Sequence, residues 1–183
     1  PYEGSLNHAI LERLVATLEA KGHPVTVLDL YVDQFNPVLS AADLAVYGEG
    51  KTTDPQVERY VQILDQTEQI IFIYPIWWGG MPAILKGFVD RVLVKGFAYD
   101  YSDNVIPQAL LKGRTGWVIT THDTVGFLAR LFMQDYGRVL ARHILRMVGI
   151  KPVQQSQLAY VRGSKPEKIA AFLDKIQAQA ASL

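Results

Sequence analysis

The stretch Ile70–Tyr101, IIFIYPIWWGGMPAILKGFVDRVLVKGFAYDY, decides the fold of this 183-residue chain. Its first five residues, Ile70-Ile71-Phe72-Ile73-Tyr74, form an unbroken apolar run rich in β-branched side chains. Such a run suits a strand covered on both faces, and therefore a parallel sheet. Pro75 offers no N–H to a ladder and closes the strand. The loop Ile76-Trp77-Trp78-Gly79-Gly80 follows, and Pro82 opens a helix, where its fixed φ is favourable. Ile84, Leu85, Phe88, Val89, Val92 and Leu93 recur at helical spacing, and Gly96 is placed to stop the helix.

The loop carries the functional signal. In open α/β sheets, ligands bind beyond the carboxyl ends of the strands. Glycines let backbone approach a ligand, and two indoles offer flat apolar surface, a combination that suits a planar aromatic cofactor. An isolated tryptophan reads as core, but the Pro-x-Trp-Trp-Gly-Gly context assigns Trp77 and Trp78 to a site.

Three segments, Tyr74-Pro75-Ile76-Trp77-Trp78, Pro82-Ala83-Ile84-Leu85-Lys86-Gly87 and Asp90-Arg91-Val92, followed by Gly96-Phe97-Ala98-Tyr99, resemble the flavodoxin-like NAD(P)H:quinone oxidoreductases of the DT-diaphorase type. Weaker similarity extends over nearly the whole chain. The resemblance implies one flavin-binding domain over residues 1–183 and a doubly wound parallel sheet of five strands in order 2-1-3-4-5. It also implies FAD, with FMN as the alternative, and NAD(P)H as co-substrate.

The chain has 18 Lys and Arg against 18 Asp and Glu. That balance argues for neither nucleic acid nor an anionic membrane as partner. There is no cysteine, so disulfide and thiol chemistry are excluded. With no transmembrane run or signal peptide evident, a cytoplasmic enzyme is expected.

Pro1 to Asn7 reads as a loop feeding a helix whose apolar face is Ile10, Leu11, Leu14, Val15 and Leu18, with Gly22 as its stop. Relatives carry a central hydrophobic strand ahead of this loop, so the first strand is expected to lie before Pro1. Ser5, Leu6 and Asn7 are candidates to hold the flavin phosphate at the helix N-terminus, and Ser5 equally reads as an ordinary N-cap. Pro24–Leu30 is expected as a strand, Ser40 as the cap of a short helix, Gly48–Thr53 as a mobile polar loop, and Asp54-Pro55 as a helix start.

Asp103–Gly113 reads as a connection. Thr115–Thr121 forms a further strand, one helix is expected from about Phe127 to Val148, and a last strand falls near Pro152–Tyr160. Ser164-Lys165-Pro166-Glu167 has capping-box spacing ahead of the closing helix.

From the resemblance, Pro75, Ile76, Trp77, Trp78 and Gly79 would line one side of the flavin, and Thr120, Thr121, His122 and Asp123 its other polar edge. Relatives often have Thr-Thr-Gly-Gly at the second loop, where this chain has Thr120-Thr121-His122-Asp123. A histidine near developing negative charge makes His122 the catalytic candidate, with Asp123 either holding its tautomer or capping a turn. The Tyr and His that assist quinone protonation in the animal enzymes find no match, so no acid is transferred. Tyr99, Tyr101 and Trp78 are substrate-binding candidates, and the tyrosines are expected to complete a partner's pocket in a homodimer. No metal-ligand pattern appears. The leading expectation is hydride transfer from NAD(P)H through flavin to a quinone-like molecule. A regulatory subunit of a potassium-efflux transporter and a flavodoxin-like electron carrier are the alternatives.

Overall fold

The computed structural model describes residues 2–101, 105–131 and 135–183. In chain order its elements are α1 (Leu6–Ala20), α2 (Ala41–Tyr47), α3 (Pro55–Asp65), β1 (Gln69–Pro75), α4 (Ala83–Val92), β2 (Tyr99–Asp100), β3 (Gln108–Ala109), β4 (Thr115–His122), α5 (Gly126–Leu131), a π-helical segment Val139–Leu145, β5 (Val153–Ala159) and α6 (Pro166–Ala180). The three long strands form one parallel sheet in order β1-β4-β5. β2 and β3 pair antiparallel on their own.

β4 is the middle strand. Every residue from Gly116 to His122 is buried, as expected for a parallel strand covered on both faces. On one face, Ile10, Leu14 and Leu18 of α1 meet Trp117, Ile119, and Phe172 and Ile176 of α6. The opposite face packs α3, α4 and the π-helical segment through Tyr60, Phe72, Phe88, Leu140 and Leu145. Phe88 anchors that side, with ring centroids 5.7 Å from Tyr60, 6.1 Å from Phe35 and 6.4 Å from Phe72. Gly87 beside it has a packing reason, because a Cβ there would overlap Pro37 of the Phe35–Pro37 loop.

Among the described residues the parallel sheet holds three of the five strands expected for it. Pro24–Leu30 is not a strand. It packs Val25 on one core and Leu28 and Leu30 on the other, but bonds to no ladder. The strand that the resemblance places between it and β1 is not among the described residues. The single helix expected over Phe127–Val148 is also corrected. α5 ends at Leu131, and the chain resumes through Tyr136 and Gly137, both with positive φ (52° and 81°), before the π-helical turn. α6 lacks the expected capping box: its N-cap is Lys165 with no side-chain cap, while the Ser164 hydroxyl donates to Tyr160 O. α4 stops at Val92, short of Gly96. Ser5, Ser40 and Asp54 do cap α1, α2 and α3.

Thr52 and Thr53, in the loop expected to be mobile, are pinned. The Asp43 carboxylate accepts from the Thr53 N–H (3.0 Å), the Thr53 hydroxyl (2.9 Å), the Thr52 hydroxyl (3.2 Å) and the Ser40 hydroxyl (2.8 Å). Arg91 of α4 donates to it at 3.0 Å, to Asp54 at 2.7 Å and to Asn36 O at 2.5 Å. Asp43 and Arg91 are each 4% exposed. The Thr53 N–H, against the opposing effect of burial and helped by the hydroxyls and Arg91, holds the Asp43 carboxyl far below the usual range.

Candidate active site

The site lies at the carboxyl ends of β1 and β4, where Tyr74 faces Thr120 and Pro75 faces Thr121 in register. Beyond the ladder, the Ile76 N–H donates to Thr121 O at 2.8 Å. The chain then closes a tight turn in which Trp77 N–H donates to Gly80 O (2.9 Å) and Gly80 N–H to Trp77 O (3.0 Å). Its two central residues, Trp78 and Gly79, have φ of 49° and 81°, the type I′ pattern that reverses a ribbon in two residues. This geometry turns the Trp78 side chain fully outward, and leaves Trp77 62% exposed. Neither is core. The buried tryptophan is Trp117, whose indole N–H donates to Ser156 Oγ.

The N-terminus of α1 reaches the same place from the opposite face. Ser5 Oγ accepts the His8 N–H (3.2 Å), while the first-turn N–H groups of Leu6 and Asn7 have no acceptor within the helix. Asn7 Oδ1 accepts the Thr121 hydroxyl at 3.0 Å. Three segments singled out in the sequence, the α1 start, the Pro75–Gly79 loop and the end of β4, are therefore joined by one chain of bonds, Asn7–Thr121–Ile76.

His122 points inward and is 5% exposed. Its ring lies 5.0 Å from that of Tyr136, tilted by 59°, and neither ring nitrogen has a hydrogen-bond partner among the described residues. Burial pushes its pKa down and a positive Lys168 adds to this; the Thr124 backbone and the Asp123 charge pull the other way. Asp123 does not hold the imidazole. It accepts the Arg162 N–H (2.8 Å) and pairs with its guanidinium at 3.4 Å, pinning the loop after β5.

Tyr99 and Tyr101 stack edge to face with centroids 5.7 Å apart. Burial, then the Tyr47 hydroxyl, pushes the Tyr99 phenol up to about 12. Among the described residues, neither tyrosine makes a hydrogen bond or ring contact with the Trp77–Gly80 turn or the end of β4. Asp103, in the connection that follows them, lies outside the described residues.

The sequence reading missed the segment covering the end of the sheet. Asp135 N–H donates to Gly79 O (3.0 Å) and its carboxylate accepts the Val139 N–H (2.5 Å). A Cβ on Gly137 would sit 2.8 Å from Val118 Cγ1 and 3.1 Å from both Thr120 Cγ2 and Tyr74 Oη. The Tyr-Gly pair inside a helical pattern was the available signal.

The family model for the flavodoxin-like fold matches residues 1–180. The chain belongs to the flavodoxin-like family. The rat protein named NAD(P)H dehydrogenase (quinone) 1 is 36% identical over 183 aligned positions, covering 88% of this chain and 66% of the rat protein. An uncharacterised NAD(P)H oxidoreductase of Haemophilus influenzae is 39% identical over 110 residues, covering 60% of this chain and 54% of that protein. The chain thus spans less than two thirds of the length of these curated relatives. A crystal structure of a Streptococcus mutans protein, 36% identical, superposes with a TM-score of 0.89 over 100% of this chain and 95% of its own. The resemblance read from Tyr74 to Tyr101 is confirmed, and with it the flavodoxin-like α/β fold.

The residues present fit a flavin. Unshared N–H groups begin α1, an exposed indole stands on the β1 loop, and the buried Thr120 hydroxyl has no hydrogen-bond partner among the described residues. No helix among the described residues is long and apolar enough to cross a membrane.

Proposed function

We propose that this chain is a flavin-dependent NAD(P)H oxidoreductase acting on a quinone or similar acceptor. The observation that carries the reading is the Asn7–Thr121–Ile76 chain of bonds, which fixes three ligand-facing segments to one another at the carboxyl end of the sheet. The names of the curated relatives support the same reaction class.

A flavin held here, FAD in the first instance and FMN as the alternative, would supply the hydride chemistry between NAD(P)H and the acceptor. The chain supplies orientation and charge. Leu6 and Asn7 N–H groups, with Ser5 shaping the turn, hold the phosphate. Pro75, Ile76, Trp77, Trp78 and Gly79 present backbone and indole surface to the ring system. Thr120 and Thr121 address its polar edge. His122 is the group able to hold a proton there, and Asp123 acts on it only through its charge.

The aromatic pair Tyr99 and Tyr101 would complete the partner's pocket in a two-fold homodimer, whose interface is self-complementary. Residues 1–183 then act as a single flavin-binding domain.

Purified protein should oxidise NADH or NADPH with menadione present and far more slowly without it, and denaturation should release a stoichiometric flavin identifiable as FAD or FMN. Flavin-loaded protein that oxidised neither nucleotide would refute the assignment.

A further inference from the structure

The equal totals of acidic and basic residues conceal a segregation along the chain. Residues 104–166 hold nine Lys and Arg against two acids, Asp123 and Asp135, whereas residues 1–103 hold seven against fourteen. Such asymmetry within a neutral chain points to a face that meets an anionic partner. Both acids of the basic stretch are engaged: Asp123 pairs with Arg162, and Asp135 accepts the Val139 N–H. Arg114 is held by Asp65.

Other cations gather on and beside the π-helical segment. Leu140, Ala141, Leu145 and Val148 turn into the core, while Arg138, Val139, Arg142, His143, Arg146 and Met147 are exposed. The outer face is thus three arginines at a spacing of four, with no acid between them. A merely solvated helix face carries both signs. Lys112 adjoins it, since its Cγ would lie 3.0 Å from a Cβ on Gly149. Among the described residues, Arg138, Arg142, Arg146 and Lys112 form no ion pair. The Arg138 guanidinium lies 5.3 Å from the Tyr136 ring centre, and that ring lies against His122. One end of the arginine face therefore adjoins the candidate site.

At that end α5 adds apolar surface. The Tyr136 hydroxyl donates to the carbonyl of Gly126, the first residue of α5, at 3.5 Å. Phe127 and Leu131, four residues apart on α5 and so on one side of it, are each 68% exposed. Val139 and Met147 are 44% and 45% exposed among the arginines. Arginines interleaved with apolar side chains, beside an uncovered phenyl ring, are the composition of a segment that lies in a lipid headgroup layer.

We propose that the outer face of Arg138–Met147, with Phe127 and Leu131, docks on an anionic lipid bilayer, the arginines at the headgroups and the two apolar side chains beneath them. Charge complementarity selects anionic lipid, and the apolar pair selects a bilayer over other polyanions. A nucleic-acid backbone would pair the arginines and leave Phe127 and Leu131 in water. A two-fold contact between copies centred on this face would set arginine against arginine, because the same patch meets itself. Docking brings the candidate site to the bilayer surface, where a lipid-soluble acceptor is concentrated; that consequence alone rests on the reaction proposed above.

Cosedimentation of the full chain with lipid vesicles tests this. Vesicles of phosphatidylcholine and phosphatidylglycerol in equal parts should carry the protein down, and phosphatidylcholine alone should leave it in solution. Raising salt from about 0.1 M to about 1 M shortens the screening length from about 10 Å to about 3 Å and should release most of it. Arg142→Gln and Arg146→Gln should each weaken partitioning about fivefold while keeping Tm and menadione turnover without vesicles. Phe127→Ser combined with Leu131→Ser should weaken it about tenfold. Failure to bind the anionic vesicles, or equal binding to both kinds, would overturn the proposal. So would retention on duplex DNA but not on vesicles, which makes the face a nucleic-acid surface, or a sedimentation mass changed by Arg142→Gln, which makes it a contact between copies. Normal menadione turnover without vesicle binding sinks the docking alone. Vesicle binding by flavin-loaded protein that oxidises no NAD(P)H supports the docking and sinks the assigned reaction alone.

Discussion

Asp43→Ala should be among the most destabilising single substitutions in this chain. The side chain is 4% exposed and its carboxylate accepts four bonds from Ser40, Thr52 and Thr53 besides that from Arg91. Removing one partner of a buried ion pair costs about 3–5 kcal/mol. Arg91 keeps Asp54 and Asn36 O, which favours the lower end. The Thr53 N–H is then left unbonded, at a further cost of about 1–3 kcal/mol. A net loss of about 4 kcal/mol compares with a total stability of roughly 5–15 kcal/mol, and lowers Tm by about 8–16 °C in a domain of this size. The pH dependence has a definite sign. The folded pKa of Asp43 lies far below its ordinary value of 3.8. Its contribution is therefore complete above that value and is lost as pH falls below it. Urea unfolding of wild type and Asp43→Ala at neutral pH and near pH 3 measures both quantities. A neutral-pH loss under about 1 kcal/mol, with parallel pH profiles, would show that the network is incidental to stability.

Gly137→Ala combines a left-handed backbone with a Cβ 2.8 Å from Val118 Cγ1, and should cost about 2–4 kcal/mol by chemical unfolding. It should also slow acceptor reduction by displacing Tyr136 from His122. His122→Gly should leave the fold intact and change the flavin potential or quinone turnover, measured by redox titration and steady-state kinetics. Tyr99→Ala should raise the KM for the acceptor while leaving flavin affinity unchanged, and a protein that sediments as a monomer with full quinone turnover would exclude the shared pocket. Trp78→Gly should keep or slightly raise Tm while weakening binding at the site, read by thermal melts and flavin titration.

Local chemistry made much of the fold legible. Ile70–Tyr74 and the Trp117–Ile119 centre of β4 are apolar without alternation because both faces are covered, and the caps at Ser5, Ser40 and Asp54 act within three residues of themselves. What was hidden depends on partners distant in sequence. The Thr52–Thr53 loop is polar and looks mobile until Asp43 and Arg91 meet across three elements. Leu, Val and Ile continue a helical rhythm on both sides of Tyr136-Gly137 and masked the break. Pro24–Leu30 has the composition of a strand, but composition does not supply a ladder partner. At the site, Thr121 and Asn7 were both singled out, whereas the bond between them follows only from the crossing of α1 over β4. Asp123 was read from its neighbour His122, yet its partner is Arg162, 39 residues away.

Trp78 brings fold and function into conflict at a single residue. A non-glycine residue in the left-handed region costs roughly 1–2 kcal/mol, and Trp78 sits there at φ 49°. A buried tryptophan recovers such a cost through packing, but this one is fully exposed and makes no ring contact among the described residues. Glycine would suit the turn better on every structural count, since it adopts positive φ freely. The indole therefore contributes nothing to the stability of the isolated chain that offsets its strain. Strained, exposed aromatic surface beside a cleft is accounted for when it meets a ligand or a second chain. Because Gly79 O also accepts the Asp135 N–H, the turn that presents the indole also fixes the segment whose Tyr136 ring lies against His122. The exposed ring and the buried imidazole are thereby held by one backbone connection, and relief of strain at Trp78 should appear as lost ligand affinity rather than lost stability.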